Sequence, residues 1–309
     1  MNLTKIEWMQ GGFTWNPVTG CPGPKISPGC ANCYAERTMN TRLRHLYDDT
    51  TGTSPLKHVR GCMTNDAPFQ SVWMHWDRLE QPSERKKPSR IFVCSMGDLF
   101  HPSVPDEWID TVFEGMEVNP QHTFMLLTKR PERMEAFIRK YRALPNIRYG
   151  ITICNQDEAD KRLIPFEYLR NVYYYLSLEP LLGAVKLEPR HGVGGCMGSP
   201  VRLVIVGGET GQNARPMHPD WVRGNRDACA EWGVPFCFKG WGEWEAFYDR
   251  DHNDPDWRRC PKVDDDKTRY LNLAGGWGFH GERVIAVRRV GKRRSGRLLD
   301  GMEHNEVPS

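Results

Sequence analysis

Cys21, Cys30 and Cys33 lie in a Gly/Pro-rich stretch near the N-terminus, with eight residues between the first two and two between the second pair. Three thiolates in one loop can hold a metal centre and leave one coordination position open, which separates a reactive centre from a structural staple. A structural zinc would need a fourth ligand. The nearest histidines are His45 and His58, and Cys62 lies 29 residues beyond Cys33. A [4Fe-4S] cluster needs only the three thiolates, and its remaining iron is free to bind a small molecule. S-adenosylmethionine suits that iron: its amino and carboxylate groups can chelate it while an electron from the cluster cleaves the sulfonium bond. Zinc stays open as the alternative.

A second set of candidate residues follows a series of apolar runs. The runs are Arg90–Cys94, Thr123–Leu127, Tyr149–Ile153, Val172–Leu176, Val201–Val206 and Val234–Phe238. Most are continuous rather than alternating, as strands buried on both faces should be. They end in polar or glycine clusters: Ser95, Gly97 and Asp98; Lys129 and Arg130; Asn155; Ser177 and Glu179; Gly207, Gly208 and Glu209; Lys239. Between them, Val104–Val118, Pro131–Leu144 and Pro219–Trp232 read as helices, each with proline and acidic residues in its opening turn. Strands alternating with helices predict an α/β fold with a parallel sheet, and we expect a partial or complete parallel (β/α) barrel. Active sites of such folds lie at the carboxyl ends of the strands, so the clusters should converge on one site. A short run at Gly12–Asn16 reads as a strand ahead of the cysteine loop.

The residues also resemble a known family. Cys30-Ala31-Asn32-Cys33-Tyr34 resembles the closing half of the radical S-adenosylmethionine signature, although the first gap is eight residues instead of three. Thr14–Cys21, Ser27–Cys30, Asp98–His101, Leu127–Pro131, Leu176–Leu181, Val206–Glu209, Phe238-Lys239 and Gly296–Gly301 resemble successive blocks of a three-cysteine-motif family of bacteriophages and bacteria. That family is described as radical S-adenosylmethionine-like. The resemblance implies a barrel of the radical S-adenosylmethionine type, a [4Fe-4S] cluster on Cys21, Cys30 and Cys33, and S-adenosylmethionine as second cofactor. By position, Ser95, Gly97 and Asp98 would receive the methionyl ammonium. Lys129 or Arg130 would meet the methionyl carboxylate or the ribose, and Ser177 and Glu179 the ribose hydroxyls. Gly207 and Gly208 would allow close backbone approach to a ligand, with Glu209 as a polar contact, and Lys239 would bind a phosphate or carboxylate of the substrate. Simpler structural roles compete at several positions: Asp98 as a helix N-cap, and Arg130 as one half of a salt bridge.

Composition narrows the remainder. The 309 residues are 39% hydrophobic with a formal charge of +3, and no apolar run approaches the ~20 residues of a membrane span. We therefore expect a cytoplasmic protein (host cytoplasm if phage-encoded) with no membrane partner. Ten cysteines without an export signal read as reduced thiols. Cys62, Cys94, Cys154, Cys196, Cys229, Cys237 and Cys260 are scattered, and Cys94, Cys154 and Cys237 fall in apolar runs where cysteine acts as a small hydrophobe. The expected organisation is a barrel over 1–245, including a cap-like insertion at 35–89, and a C-terminal extension over 246–309 packed on it. Within that extension Lys292, Arg293, Arg294 and Arg297 form a basic run able to grip nucleic acid. The family context, together with this run, implies as substrate a modified thymidine in phage DNA, rearranged on an amino-acid adduct so that the genome escapes host nucleases. Lesion repair is a neighbouring option, and a flavodoxin or ferredoxin is the expected electron donor. The rival class is a non-catalytic, zinc-binding nucleic-acid module.

Overall fold

The computed structural model describes residues 1–47, 67–141, 143–164, 172–188, 201–251, 253–257, 259–263, 266–274 and 283–307. Cys62 and Cys196, Trp277 and the middle of the 35–89 insertion lie outside the described residues. The strands are β1 (Asn2–Leu3), β2 (Phe13–Trp15), β3 (Val18–Thr19), β4 (Trp73–Met74), β5 (Arg90–Val93), β6 (Thr123–Thr128), β7 (Ile147–Thr152), β8 (Tyr174–Leu178), β9 (Val201–Gly207), β10 (Phe236–Gly240), β11 (Trp244–Asp251), β12 (Thr268–Leu271), β13 (Arg283–Arg289), β14 (Leu298–Leu299) and β15 (Met302–Glu303). The helices are α1 (Tyr34–Asn40), α2 (Gln81–Glu84), α3 (Asp106–Glu117), α4 (Pro131–Tyr141), α5 (Gln156–Arg162), α6 (Pro219–Glu231) and α7 (Lys292–Ser295).

The protein is a mixed α/β fold built on one eight-stranded, mostly parallel sheet in the order β1-β2-β5-β6-β7-β8-β9-β10. The pairs β2/β5, β5/β6, β6/β7 and β9/β10 are parallel, and β1 adds antiparallel to β2. Among the described residues no pairing joins β10 back to β1 or β2, so the sheet is not closed by the pairings found. All six apolar runs are strands. The fourth and the sixth each begin two residues later than their hydrophobic runs suggest, at Tyr174 and Phe236.

By its contacts the chain divides into two compact units. The first comprises Met1–Ile26, Cys33–Ile151 and Tyr168–Tyr174. Its helix α3 buries Trp108, Ile109, Val112, Phe113 and Met116, an apolar stripe at helical spacing. Gly115 on that helix lets the Trp15 indole approach, since a Cβ there would stand 3.3 Å from the ring. Trp15 is fully buried and its Nε1 donates to the Arg78 carbonyl at 2.7 Å. A satellite cluster joins Ala35 and Met39 of α1 to Tyr47, Phe69 and Trp73 of the insertion, with Cys21, Cys33 and Met96 packed against it.

The second unit comprises Ser27–Asn32, Thr152–Glu167 and Tyr175–Ser309. Past residue 240 the strand–helix rhythm gives way to a three-stranded antiparallel sheet, β11-β13-β12, over Trp244, Leu271, Ile285 and Val287. The hairpin β14–β15 turns on Asp300-Gly301, both at positive φ (51° and 83°), as a two-residue turn of that hand requires. Residues 304–306 then run antiparallel along β10: the Phe238 amide donates to the His304 carbonyl at 2.9 Å, and Cys237 bridges Asn305. This pairing covers the edge that β10 would otherwise present.

Candidate functional site

In the first unit the Cys21 loop is fastened to the carboxyl ends of β5 and β6. Gly20 has φ +90° and lies so close to Ser71 that a Cβ would stand 1.7 Å from its carbonyl oxygen. Only glycine fits both the conformation and the space. Gly20 bridges Gly97, where a Cβ would meet the Gly20 oxygen at 2.7 Å, and the Gly20 amide donates to the Met96 carbonyl at 3.0 Å. The glycine after β5 thus serves close approach of two backbones, and the next residue on the opposite chain is Cys21. Its amide donates to the Phe69 carbonyl at 3.0 Å.

Asp98 is 7% exposed and fully engaged. Its Oδ1 accepts from the Thr128 hydroxyl at 2.7 Å and the Phe100 amide at 3.1 Å; its Oδ2 accepts from Arg130 Nη1 at 2.7 Å and the Lys129 amide at 3.4 Å. Asp98 is not the cap of the next helix, whose N-cap is Pro105. Arg130 is the hub. The same Nη1 that pairs with Asp98 donates to Cys21 Sγ at 3.8 Å. Burial works against the guanidinium charge, but the Asp98 carboxylate and the Cys21 sulfur outweigh it and push its pKa up. Ser95 donates from its hydroxyl to Asn16 Oδ1 at 3.1 Å, and its carbonyl accepts from the Tyr34 hydroxyl, beside Cys33.

His101, within the Asp98–His101 block, carries a role that sequence reasoning did not assign. Its Nδ1 accepts from the Ser103 amide at 3.0 Å, which leaves Nε2 to donate to the Pro22 carbonyl at 2.9 Å. Burial and the nearby Arg130 charge lower its pKa, so the ring is neutral and keeps this tautomer at pH 7. Beneath the loop, Thr19 Oγ1 lies 3.1 Å from the Tyr47 hydroxyl and 2.9 Å from His75 Nε2.

In the second unit the turn carrying Cys30 (Pro28–Asn32) sits on the loops that follow β7, β8 and β9. Ser27 Oγ lies 3.4 Å from Cys154 Sγ, and Gly29 is pressed so near that a Cβ would meet that sulfur at 2.8 Å and Pro180 Cδ at 3.0 Å. Arg215 Nη2 donates to the Pro28 carbonyl at 2.9 Å, and Asn32 Nδ2 to the Asn213 carbonyl at 2.9 Å. Arg215 is itself held by Glu209, whose carboxylate accepts from its amide (2.8 Å), its Nε (2.8 Å) and its Nη2 (2.5 Å). Burial alone would raise the Glu209 pKa; the hydrogen bonds from Arg215 and Asn32 outweigh it and hold the carboxyl below its ordinary range. Arg215 has no signature in the sequence beyond following Glu209 by six positions.

Glu179 and Lys239 form an ion pair at the ends of β8 and β10, flanking Gly207, whose Cβ would lie 3.4 Å from both side chains. Gly208 packs against the Trp241 carbonyl, leaving no room for a side chain. Ser177 is buried within β8. The basic run lies apart from these groups in sequence: Lys292, Arg293 and Arg294 are exposed on α7, while Arg297 donates to Asn305 Oδ1 and its stem lies 3.4 Å from where a Gly240 Cβ would be.

Cys21, Cys30 and Cys33 are half-buried thiols outside any disulfide, whereas Cys94, Cys154, Cys229 and Cys237 are fully buried. Among the described residues no three His, Cys, Asp or Glu side chains are grouped as a metal ion's ligands. No helix of the described residues is long and apolar enough to cross a membrane. No curated protein and no solved structure matches the chain. A family profile matches residues 3–308, and by that match over nearly its whole length the chain belongs to the family described as protein of unknown function (DUF5131).

Proposed function

We propose that this chain is a radical S-adenosylmethionine enzyme, with Cys21, Cys30 and Cys33 as the thiolate ligands of a [4Fe-4S] cluster and the eight-stranded sheet as part of a parallel barrel. The observation that carries the proposal is the fastening of Cys21 to the carboxyl ends of parallel strands, where Arg130 joins its sulfur to Asp98 and where α/β enzymes hold their active sites. The donor set fits in chemistry: three half-buried thiols, one already accepting from a guanidinium. A single zinc at ~2.3 Å from each sulfur would need its ligands gathered on one point. A four-iron cube takes each thiolate on a different iron. Bound there, cluster and S-adenosylmethionine would together supply one-electron cleavage of the sulfonium bond and hydrogen abstraction from a substrate.

The chain's own residues position and shield. Gly20 and Gly97 bring the Cys21 backbone against the end of β5, and His101 pins the loop at Pro22. Arg215 ties the Cys30 turn to Glu209. Glu179 and Lys239 offer a paired acid and base to the ribose or to a substrate anion. For substrate we favour a modified thymidine in DNA, supported by the exposed Lys292, Arg293 and Arg294. Such a base must leave the helical stack or be met as a nucleotide. A flavodoxin or ferredoxin would deliver the electron.

Anaerobic purification followed by reconstitution with iron and sulfide tests the reading. A brown protein with broad absorption near ~400 nm, losing its iron in Cys30→Ala while keeping its circular dichroism, supports it. A colourless protein holding one zinc, and unfolding when that zinc is removed, would refute it in favour of a structural, non-catalytic module.

A further inference from the structure

The Arg130 guanidinium is placed to act on the sulfur of Cys21. It is 12% exposed at the side chain, its Nη1 stands 3.8 Å from Cys21 Sγ, and the same nitrogen is held at 2.7 Å by Asp98. Asp98 cannot swing away, because the Thr128 hydroxyl and the amides of Phe100 and Lys129 fix both of its oxygens. Hydrogen bonds to cluster sulfurs and the net charge beside them set the reduction potential of an iron–sulfur centre. A donor to the thiolate withdraws electron density and favours the reduced, more negative state. A carboxylate behind that donor offsets part of the effect.

We propose that Arg130 and Asp98 form a redox-setting pair acting through Cys21: Arg130 raises the potential of the centre bound there by donating to the sulfur, and Asp98 both aims the guanidinium and limits its charge. This rests on the proposed cluster. It gives Arg130 a role as a positioning residue on the thiolate instead of a contact to the methionyl carboxylate or ribose.

The geometry demands opposite signs from the two partners. In reconstituted protein without S-adenosylmethionine or substrate, the midpoint potential is measured by a dye-mediated optical titration, with the reduced cluster counted by electron paramagnetic resonance. Arg130→Met is expected to lower the reduced-to-oxidised ratio at fixed poise about tenfold, a shift of ~59 mV for a one-electron couple. Asp98→Asn leaves the guanidinium uncompensated and is expected to raise the ratio. Arg130→Lys keeps the charge and should stay nearer wild type than Arg130→Met. If Arg130→Met does not fold, Arg130→Gln, which can still hydrogen-bond Asp98, replaces it in the same comparison. Unchanged potentials in loaded variants, or Arg130 and Asp98 variants shifting in the same direction, would overturn the pair while leaving the cluster standing. A wild-type protein that takes up no iron and sulfide would overturn both.

Discussion

Replacing Arg215 with alanine should reverse the pH dependence of stability contributed by Glu209. The Glu209 side chain is 3% exposed and accepts three hydrogen bonds from Arg215, whose own side chain is 39% exposed. Breaking a fully buried ion pair costs ~3–5 kcal/mol, whereas an exposed pair contributes ~0–1 kcal/mol. With one partner buried and the other reachable by water, about 2–3 kcal/mol is expected at pH 7. In the wild type the Glu209 carboxyl is held below its ordinary 4.5, so its contribution is complete above that pH and is lost as pH falls through the folded value. In Arg215→Ala burial acts with far less opposition and raises the carboxyl instead. The unfolded chain then ionises before the folded one, and stability falls as pH rises above 4.5. Urea unfolding followed by circular dichroism at pH 4.5 and 7 reads this directly. The deficit against wild type should be smaller at the lower pH than at the higher, and Glu209→Gln should recover most of it in the double variant. Equal deficits at both pH values, or a loss under ~0.5 kcal/mol at pH 7, would refute the argument.

Gly20→Ala should be destabilising by more than ~3 kcal/mol or fail to fold, because its Cβ would stand 1.7 Å from the Ser71 carbonyl oxygen; Gly23→Ala, with nothing within 4 Å, should stay within ~0.5 kcal/mol in the same urea assay. His75 is buried and its pKa falls to about 3, with desolvation the main cause and the Arg78 charge assisting. The unfolded chain takes up a proton that the folded one refuses, so stability should decline as pH falls from 6.5 towards 3, with a shallower slope in His75→Gln, which cannot titrate. Asp300 is lowered to about 2 by hydrogen bonds from Arg223 and, beyond a smaller opposing effect of burial, from Arg226. At 35% side-chain exposure that pairing is screened, so Asp300→Asn should cost no more than ~1 kcal/mol. Asp300→Ala should cost ~1–2 kcal/mol more, because alanine at φ 51° is strained where asparagine is tolerated.

Hydrophobic runs made the strands legible. Arg90–Val93 and Val201–Gly207 read as buried strands because burial on both faces demands continuous apolar sequence. The opening prolines and acids of α3, α4 and α6 marked their starts for equally local reasons. What stayed hidden depends on contacts between distant segments. The two-residue strands β3 and β4 pair across the insertion and carry too few residues to show a period. The role of Gly97 depends on Gly20 lying opposite it, and that of Arg215 on Pro28, 187 positions away. In the sheet past residue 240 the apolar run Val284–Val290 marks β13, whereas half-exposed antiparallel strands such as Trp244–Asp251 alternate weakly and carry charges on their open face, and so stay hidden.

The strand-end charges show the same limit at the site itself. Read singly, Asp98, Glu179 and Glu209 look like groups waiting for a cofactor's ammonium or ribose. In the fold each already has a cationic partner: Arg130, Lys239 and Arg215. The reason is energetic, since a carboxylate buried without a counter-charge costs several kcal/mol and would be protonated instead. A charged ligand meeting any one of these carboxylates would therefore exchange one partner for another. Asp98 is tied by four donors and Glu209 by three bonds from Arg215 and one from Asn32, so both carboxylates are satisfied within the fold. The Lys239–Glu179 pair flanks Gly207, where a Cβ would lie 3.4 Å from both side chains, so any side chain at that position would crowd both partners.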